Sequence, residues 1–127
     1  MRIRALAVTL VLVLAVVVPV GADGLSPLIV GWERFFTVEW QPDSRKGVPH
    51  VSGYVRNEWG TPAVNIQLLV ESIGPDNQVS AQRVEWLGAG LTPGTRAAFQ
   101  VPAPGPGPAY RVSIFAFDWV QAGGPLM

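Results

Sequence analysis

Residues 64–87 read Val64-Asn65-Ile66-Gln67-Leu68-Leu69-Val70-Glu71-Ser72-Ile73-Gly74-Pro75-Asp76-Asn77-Gln78-Val79-Ser80-Ala81-Gln82-Arg83-Val84-Glu85-Trp86-Leu87. Val64, Ile66, Leu68 and Val70 alternate with Asn65, Gln67, Leu69 and Glu71. A period of two is the mark of a strand with one face turned to a core. Gly74-Pro75-Asp76-Asn77 is a turn, because Pro75 already holds the backbone angle its first central position requires. The stretch therefore predicts a hairpin of strands 64–73 and 78–87. In the second strand the alternation slips: Val79 and Ala81 share one face, Val84 and Trp86 the other. That slip predicts a bulge near Gln82-Arg83.

Outward from this hairpin the pattern repeats. Phe36, Val38 and Trp40 alternate with Thr37 and Glu39. Val51, Gly53 and Val55 alternate with Ser52, Tyr54 and Arg56, and Ala97, Phe99 and Val101 with Arg96, Ala98 and Gln100. Strands are expected near 35–40, 50–57, 95–101 and 109–120, with room for a short one near 27–31. Gln41 to Gly47 reads as a polar loop and Leu91-Thr92-Pro93-Gly94 as a turn. Pro102 to Pro108 holds four Pro and two Gly in seven residues, so it reads as a stiff connection. Twelve Pro and fourteen Gly among 127 residues exclude a helical bundle. The expected fold is all-β: an antiparallel immunoglobulin-like β-sandwich of six or seven strands, with a small barrel as the alternative.

Ahead of these strands, Arg2 and Arg4 precede an apolar run from Ala5 to Val18 broken only by Thr9, and Pro19-Val20-Gly21-Ala22 follows. Basic start, apolar middle and small-residue end are the three parts of a secretory signal peptide. The expected organisation is a signal peptide over 1–22 cut after Ala22, an N-terminal extension over 23–34, a sandwich over 35–120 and a tail over 121–127. The run is short of the ~20 residues that span a bilayer, so no stable membrane span is expected after cleavage. The expected location is secreted or periplasmic, the alternative an N-terminal membrane anchor.

Nine basic and nine acidic residues balance, and charged residues are only 14% of the chain. No run of charge is present, which argues against nucleic acid as a partner. The chain has no Cys, so disulfide frameworks and Cys-ligated metals are excluded.

From about Val51 to Val112 the chain resembles the FxLYD-type β-sandwich domains of secreted and membrane-attached bacterial proteins. The residues that carry this are Gly53-Tyr54-Val55-Arg56-Asn57, Val64 to Val70, Asn77-Gln78-Val79, Leu91-x-Pro93-Gly94, Ala98-Phe99 and Tyr110-x-Val112. Leu68-Leu69-Val70-Glu71-Ser72 stands where the F-x-L-Y-D string would be. The resemblance implies a sandwich fold and an accessory or interaction role, and says little about activity, because fold does not fix function.

Chemistry is sparse. His50 is the only histidine. A triad would need it beside Ser44, Ser52, Ser72, Ser80 or Ser113, and no G-x-S-x-G elbow is present. No cofactor, metal site or catalytic residue is expected. Glu39-Trp40, Glu58-Trp59, Glu85-Trp86 and Asp118-Trp119 pair an acid with a Trp. Since neighbours in a strand point to opposite faces, the expectation is Trp inward and acid outward.

Tyr110, Val112, Ile114 and Ala116 form one face of the last strand, and Arg111, Ser113, Phe115, Phe117 and Trp119 the other. Both faces are apolar beyond residue 114. Either Leu25 to Trp32 or the tail covers Phe115, Phe117 and Trp119, or these three form a partner surface. The functional expectation is an exported non-enzymatic interaction or accessory module in the cell envelope, binding a protein partner or a copy of itself through Phe115, Phe117 and Trp119. The alternative is a small carbohydrate- or ligand-binding module that uses an exposed Trp59.

Overall fold

The computed structural model describes residues 17–19, by their backbone, and 24–121. The proposed cut after Ala22 and the tail beyond Gln121 lie outside the described residues. Among the described residues there are seven strands: β1 (Val17–Pro19), β2 (Phe36–Arg45), β3 (Val48–Asn57), β4 (Ala63–Ile73), β5 (Val79–Trp86), β6 (Arg96–Pro102) and β7 (Ala109–Trp119). β2-β3-β6 form one sheet, β5-β4-β7 the other, and β1 lies on the outer edge of β5. All pairings are antiparallel. The chain makes one hairpin in each sheet, then returns β6 beside β3 and β7 beside β4. That interleaving is the immunoglobulin-like order of a β-sandwich.

Both hairpins follow from their turns. β4 and β5 are joined as expected, with the Gly74 N–H donating to the Gln78 carbonyl at 2.8 Å. β2 and β3 extend further than the sequence suggested. Gln41–Arg45 belongs to β2 and pairs with Val48–Ser52, so only Lys46 and Gly47 remain as the turn. Both have positive φ, 51° and 78°, the signature of a tight two-residue hairpin turn that continues the strand twist. The polar residues read as a loop are exposed positions on this arm. The stretch near 27–31 is no strand; it leads into a single 3-10 turn at Trp32–Arg34.

The core lies between the sheets. Phe36, Val51, Val55, Ile66, Leu68, Val70, Leu91, Phe99, Val101, Val112, Ile114 and Phe117 are buried there. Gly53 lets β3 approach β2, since a Cβ at this position would overlap the Glu39 carbonyl oxygen and stand 2.8 Å from the Trp40 Cα.

Two irregularities correct the sequence reading. Ser72 pairs with Ala81 and Ile73 with Val79, so the extra residue of β5 is Ser80 and not the Gln82-Arg83 pair. Between β4 and β7 the ladder breaks at Asn65–Gln67 and resumes in the same register on either side. Asn65 has φ 54°, and β7 carries a matching slip at Phe115-Ala116. Each slip reverses its strand's alternation, and facing each other they leave the pairing unchanged. Beyond the break Ala63 rather than Val64 is buried, and Phe117 and Trp119 come round to the face of Ile114.

Candidate binding site

The slip in β7 undoes the single exposed face expected of Phe115, Phe117 and Trp119. Phe117 is 8% exposed and belongs to the core. Phe115 is half-buried, and its carbonyl accepts the Leu28 N–H at 2.9 Å. Trp119 is half-buried against the core. Cover comes from within the chain: Ile29, Trp32 and Phe35 pack on the same cluster.

What remains open is one end of that cluster. Phe35 meets Trp59 edge-on at 4.7 Å between ring centroids and Trp119 at 5.3 Å. Phe117 meets Trp119 at 4.8 Å, and Phe36 stacks on Trp119 at 5.9 Å. Trp59 keeps 44% of its surface exposed. Trp59, Gly60, Thr61, Pro62, Trp119, Val120 and Gln121 line an open groove of about 420 Å³.

The loop that carries Trp59 is held by Asn57. This side chain is fully buried. Its Nδ2 donates to the carbonyls of Thr61 at 2.9 Å and Leu91 at 3.0 Å, and its Oδ1 accepts the Trp59 N–H at 2.8 Å. Its backbone bonds Thr95 and Gly94. A buried amide with its donors and acceptor engaged fixes the loop at little internal cost. The role of Asn57 escaped the sequence reading, although Asn at a strand end before a turn is a signal for such side-chain-to-backbone bonds.

The Trp residues do not turn inward as a set. Trp40, Trp59 and Trp86 are 39%, 44% and 62% exposed. Trp40 lies on the core side of the edge strand β2 and has little sheet over it, whereas Trp86 stands opposite Gln67, next to the core-side pair of Leu68 and Glu85, and so points to the outer face. Trp40 instead caps the gap between the sheets, its Nε1 donating to the Tyr110 carbonyl at 2.7 Å.

His50 stands in β3 opposite Asp43, its Nδ1 2.9 Å from the Val48 carbonyl oxygen. Hydrogen bonds from Gln100 above all, then from the Ser44 N–H and Ser52, hold the Asp43 carboxyl below the usual carboxylate range. No group of three or more His, Cys, Asp or Glu among the described residues is placed to hold a metal ion. No described helix is long and apolar enough to cross a membrane.

A further polar row lies on the outer face of the β5-β4-β7 sheet. Arg111 Nε donates to Glu71 Oε1 at 2.7 Å, and Gln82 Nε2 donates to Glu71 Oε2 at 2.9 Å. Glu71 and Gln82 are 4% and 2% exposed, and the Glu71 carboxylate raises the Arg111 pKa above its ordinary value.

Comparison with protein-family models, with characterised proteins and with solved structures finds no match.

Proposed function

We propose that this chain is an exported, non-enzymatic β-sandwich that acts as an interaction module in the cell envelope, secreted or periplasmic once residues 1–22 are removed, and that it binds through the Trp59–Trp119 groove. The observation that carries this reading is the ordering of Trp59. Its ring leans on Phe35 and its backbone is tied to buried Asn57, so the exposed part of the indole is presented with less freedom to lose on binding than an unsupported side chain would have. The leader pattern and the resemblance of residues 51–112 to the FxLYD-type sequence pattern support the envelope setting.

The test places a photo-crosslinking residue at position 59 in cells that export the chain, with exposed Val48 as the control position. A discrete protein adduct at 59, absent at 48 and competed by purified wild-type chain but not by Trp59→Ala, is the expected result. Equal labelling at both positions would overturn the assignment.

A carbohydrate ligand is the second reading, favoured by the half-exposed indole of Trp59 beside the polar groups of Thr61 and Gln121. Its signature is quenching of Trp fluorescence by a glycan, lost in Trp59→Ala.

A further inference from the structure

β5 lies at the edge of its sheet, and β1 covers part of that edge: Val17 pairs with Arg83, Val18 with Gln82 and Pro19 with Ala81. These β1 residues belong to the proposed leader. Losing it uncovers the β5 backbone, and an open edge is a template for another strand. Within Gln82–Trp86 the edge has neither a Pro nor a bulge to blunt it, since the extra residue is Ser80.

The direction of the free groups follows from the ladder. The Leu87 N–H donates to the Ile66 carbonyl at 2.9 Å, and Glu85 and Arg83 stand opposite Leu68 and Val70 in the same register. Backbone direction alternates along a strand. Arg83, Glu85 and Leu87 therefore bond to β4, while Gln82, Val84 and Trp86 aim their N–H and C=O groups outward.

We propose that this edge, once free of β1, pairs antiparallel with the same edge of a second copy, giving a two-fold dimer with one sheet running through both sandwiches. Charge selects the register. With outward groups on even residues, centring the pair on residue 83 sets Arg83 against Arg83, and centring it on residue 85 sets Glu85 against Glu85. Centring it on Val84 sets Arg83 of each copy against Glu85 of the other. Those are non-hydrogen-bonded positions, where facing side chains come closest. Within one chain Arg83 and Glu85 already form an ion pair, with side chains 21% and 22% exposed, and the dimer extends it to four charges. The same register lays Trp86, 62% exposed, beside Gln82 of the other copy.

The proposal rests on the export reading only for the event that empties the edge. The full chain is produced with its leader in an exporting bacterial host; mass spectrometry reads cleavage and analytical ultracentrifugation reads assembly. The cleaved wild type is expected as a dimer at micromolar concentration. Arg83→Glu alone and Glu85→Arg alone are expected as monomers, with association weakened about tenfold or more by facing like charges. Mixed together they are expected to form a heterodimer, because one copy then presents two acids and the other two bases. The intrachain pair is broken in both, so recovery on mixing reports only the contact between copies.

Val84→Cys gives a second readout. The chain has no other Cys, and facing hydrogen-bonded residues stand ~5.5 Å apart at Cα, within disulfide reach. Oxidation is expected to link Val84→Cys chains and to leave Val48→Cys chains unlinked. A monomeric cleaved wild type, no heterodimer on mixing, or no selective link at 84 would overturn the proposal. Retention of residues 1–22 would instead refute the export reading. Val18→Pro, which removes the central N–H of β1, must then produce the dimer, and a monomer there would refute the edge.

Discussion

The side-chain amide of Gln82 grips the backbone of Leu25 at both of its polar groups: the Leu25 N–H donates to Oε1 at 2.8 Å, and Nε2 donates to the Leu25 carbonyl at 2.7 Å. An amide side chain here does what a neighbouring strand would do for one residue. Three residues later the Leu28 N–H reaches the Phe115 carbonyl. The segment between them thus crosses the outer face of the sheet from β5 to β7.

Removing that grip should free the extension. Gln82→Ala strips both bonds and leaves Glu71 Oε2 without its partner, a cost of about 1–3 kcal/mol in urea unfolding. Residues 24–31 should also become the first site of limited proteolysis. Wild-type protease resistance in the variant would show that other contacts hold the segment.

Phe117 and Phe115 should separate cleanly. Phe117→Ala opens a cavity among Phe35, Phe36 and Trp119 and should cost about 3–5 kcal/mol. Phe115→Ala removes a half-buried ring and should cost distinctly less. Equal costs in denaturant titration would contradict the slip in β7.

Glycines 53 and 60 make a second contrast. Gly53→Ala drives a methyl group into the Glu39 carbonyl, whereas Gly60 has no atom within 4 Å of the position a Cβ would take. Gly53→Ala should destabilise by about 1–3 kcal/mol, the usual range for an overpacked site. Gly60→Ala should be neutral or slightly stabilising, since it narrows only the unfolded ensemble. Thermal unfolding of the two variants checks both.

Asp43 should respond to acid later than an ordinary carboxylate. Its pKa lies below the ordinary value of 3.8 because Gln100, the Ser44 N–H and Ser52 bond to the charged form. A depressed folded-state pKa means that these bonds contribute fully above the unfolded value and are lost as pH falls through the folded one. Carboxyl NMR titration should give a midpoint below 3.8, and Gln100→Ala should move it upward. A midpoint at or above the ordinary value would show that the Gln100 contact does not form in solution.

The strands and turns were legible because their causes are local. Alternation in Val64–Val70 and the Gly74-Pro75-Asp76-Asn77 turn act over a few residues, and β4 and β5 formed where they indicated. The aromatic end of β7 was not legible in the same way. Val112, Ile114 and Phe117 all reach the core, and no simple period of two includes all three. Leu69 did carry a hint, being an apolar residue on the face opposite Leu68 and Val70. It is 1% exposed on the side of the sheet that also buries Glu71 and Gln82, as a strand covered on both faces would be.

Residue order alone settled that this chain makes short antiparallel strands with an apolar interior and where most of them turn, and it favoured two facing layers over a small barrel. Each of those outcomes depends on backbone angles and on neighbours two or four positions away. Packing settled which outward residues are covered, where a ladder slips, and which Trp stays in water. Those outcomes depend on segments far apart in the chain, such as Leu25 on Gln82 or Gln67 across from Ala116, and a one-residue slip between them reverses every side chain that follows.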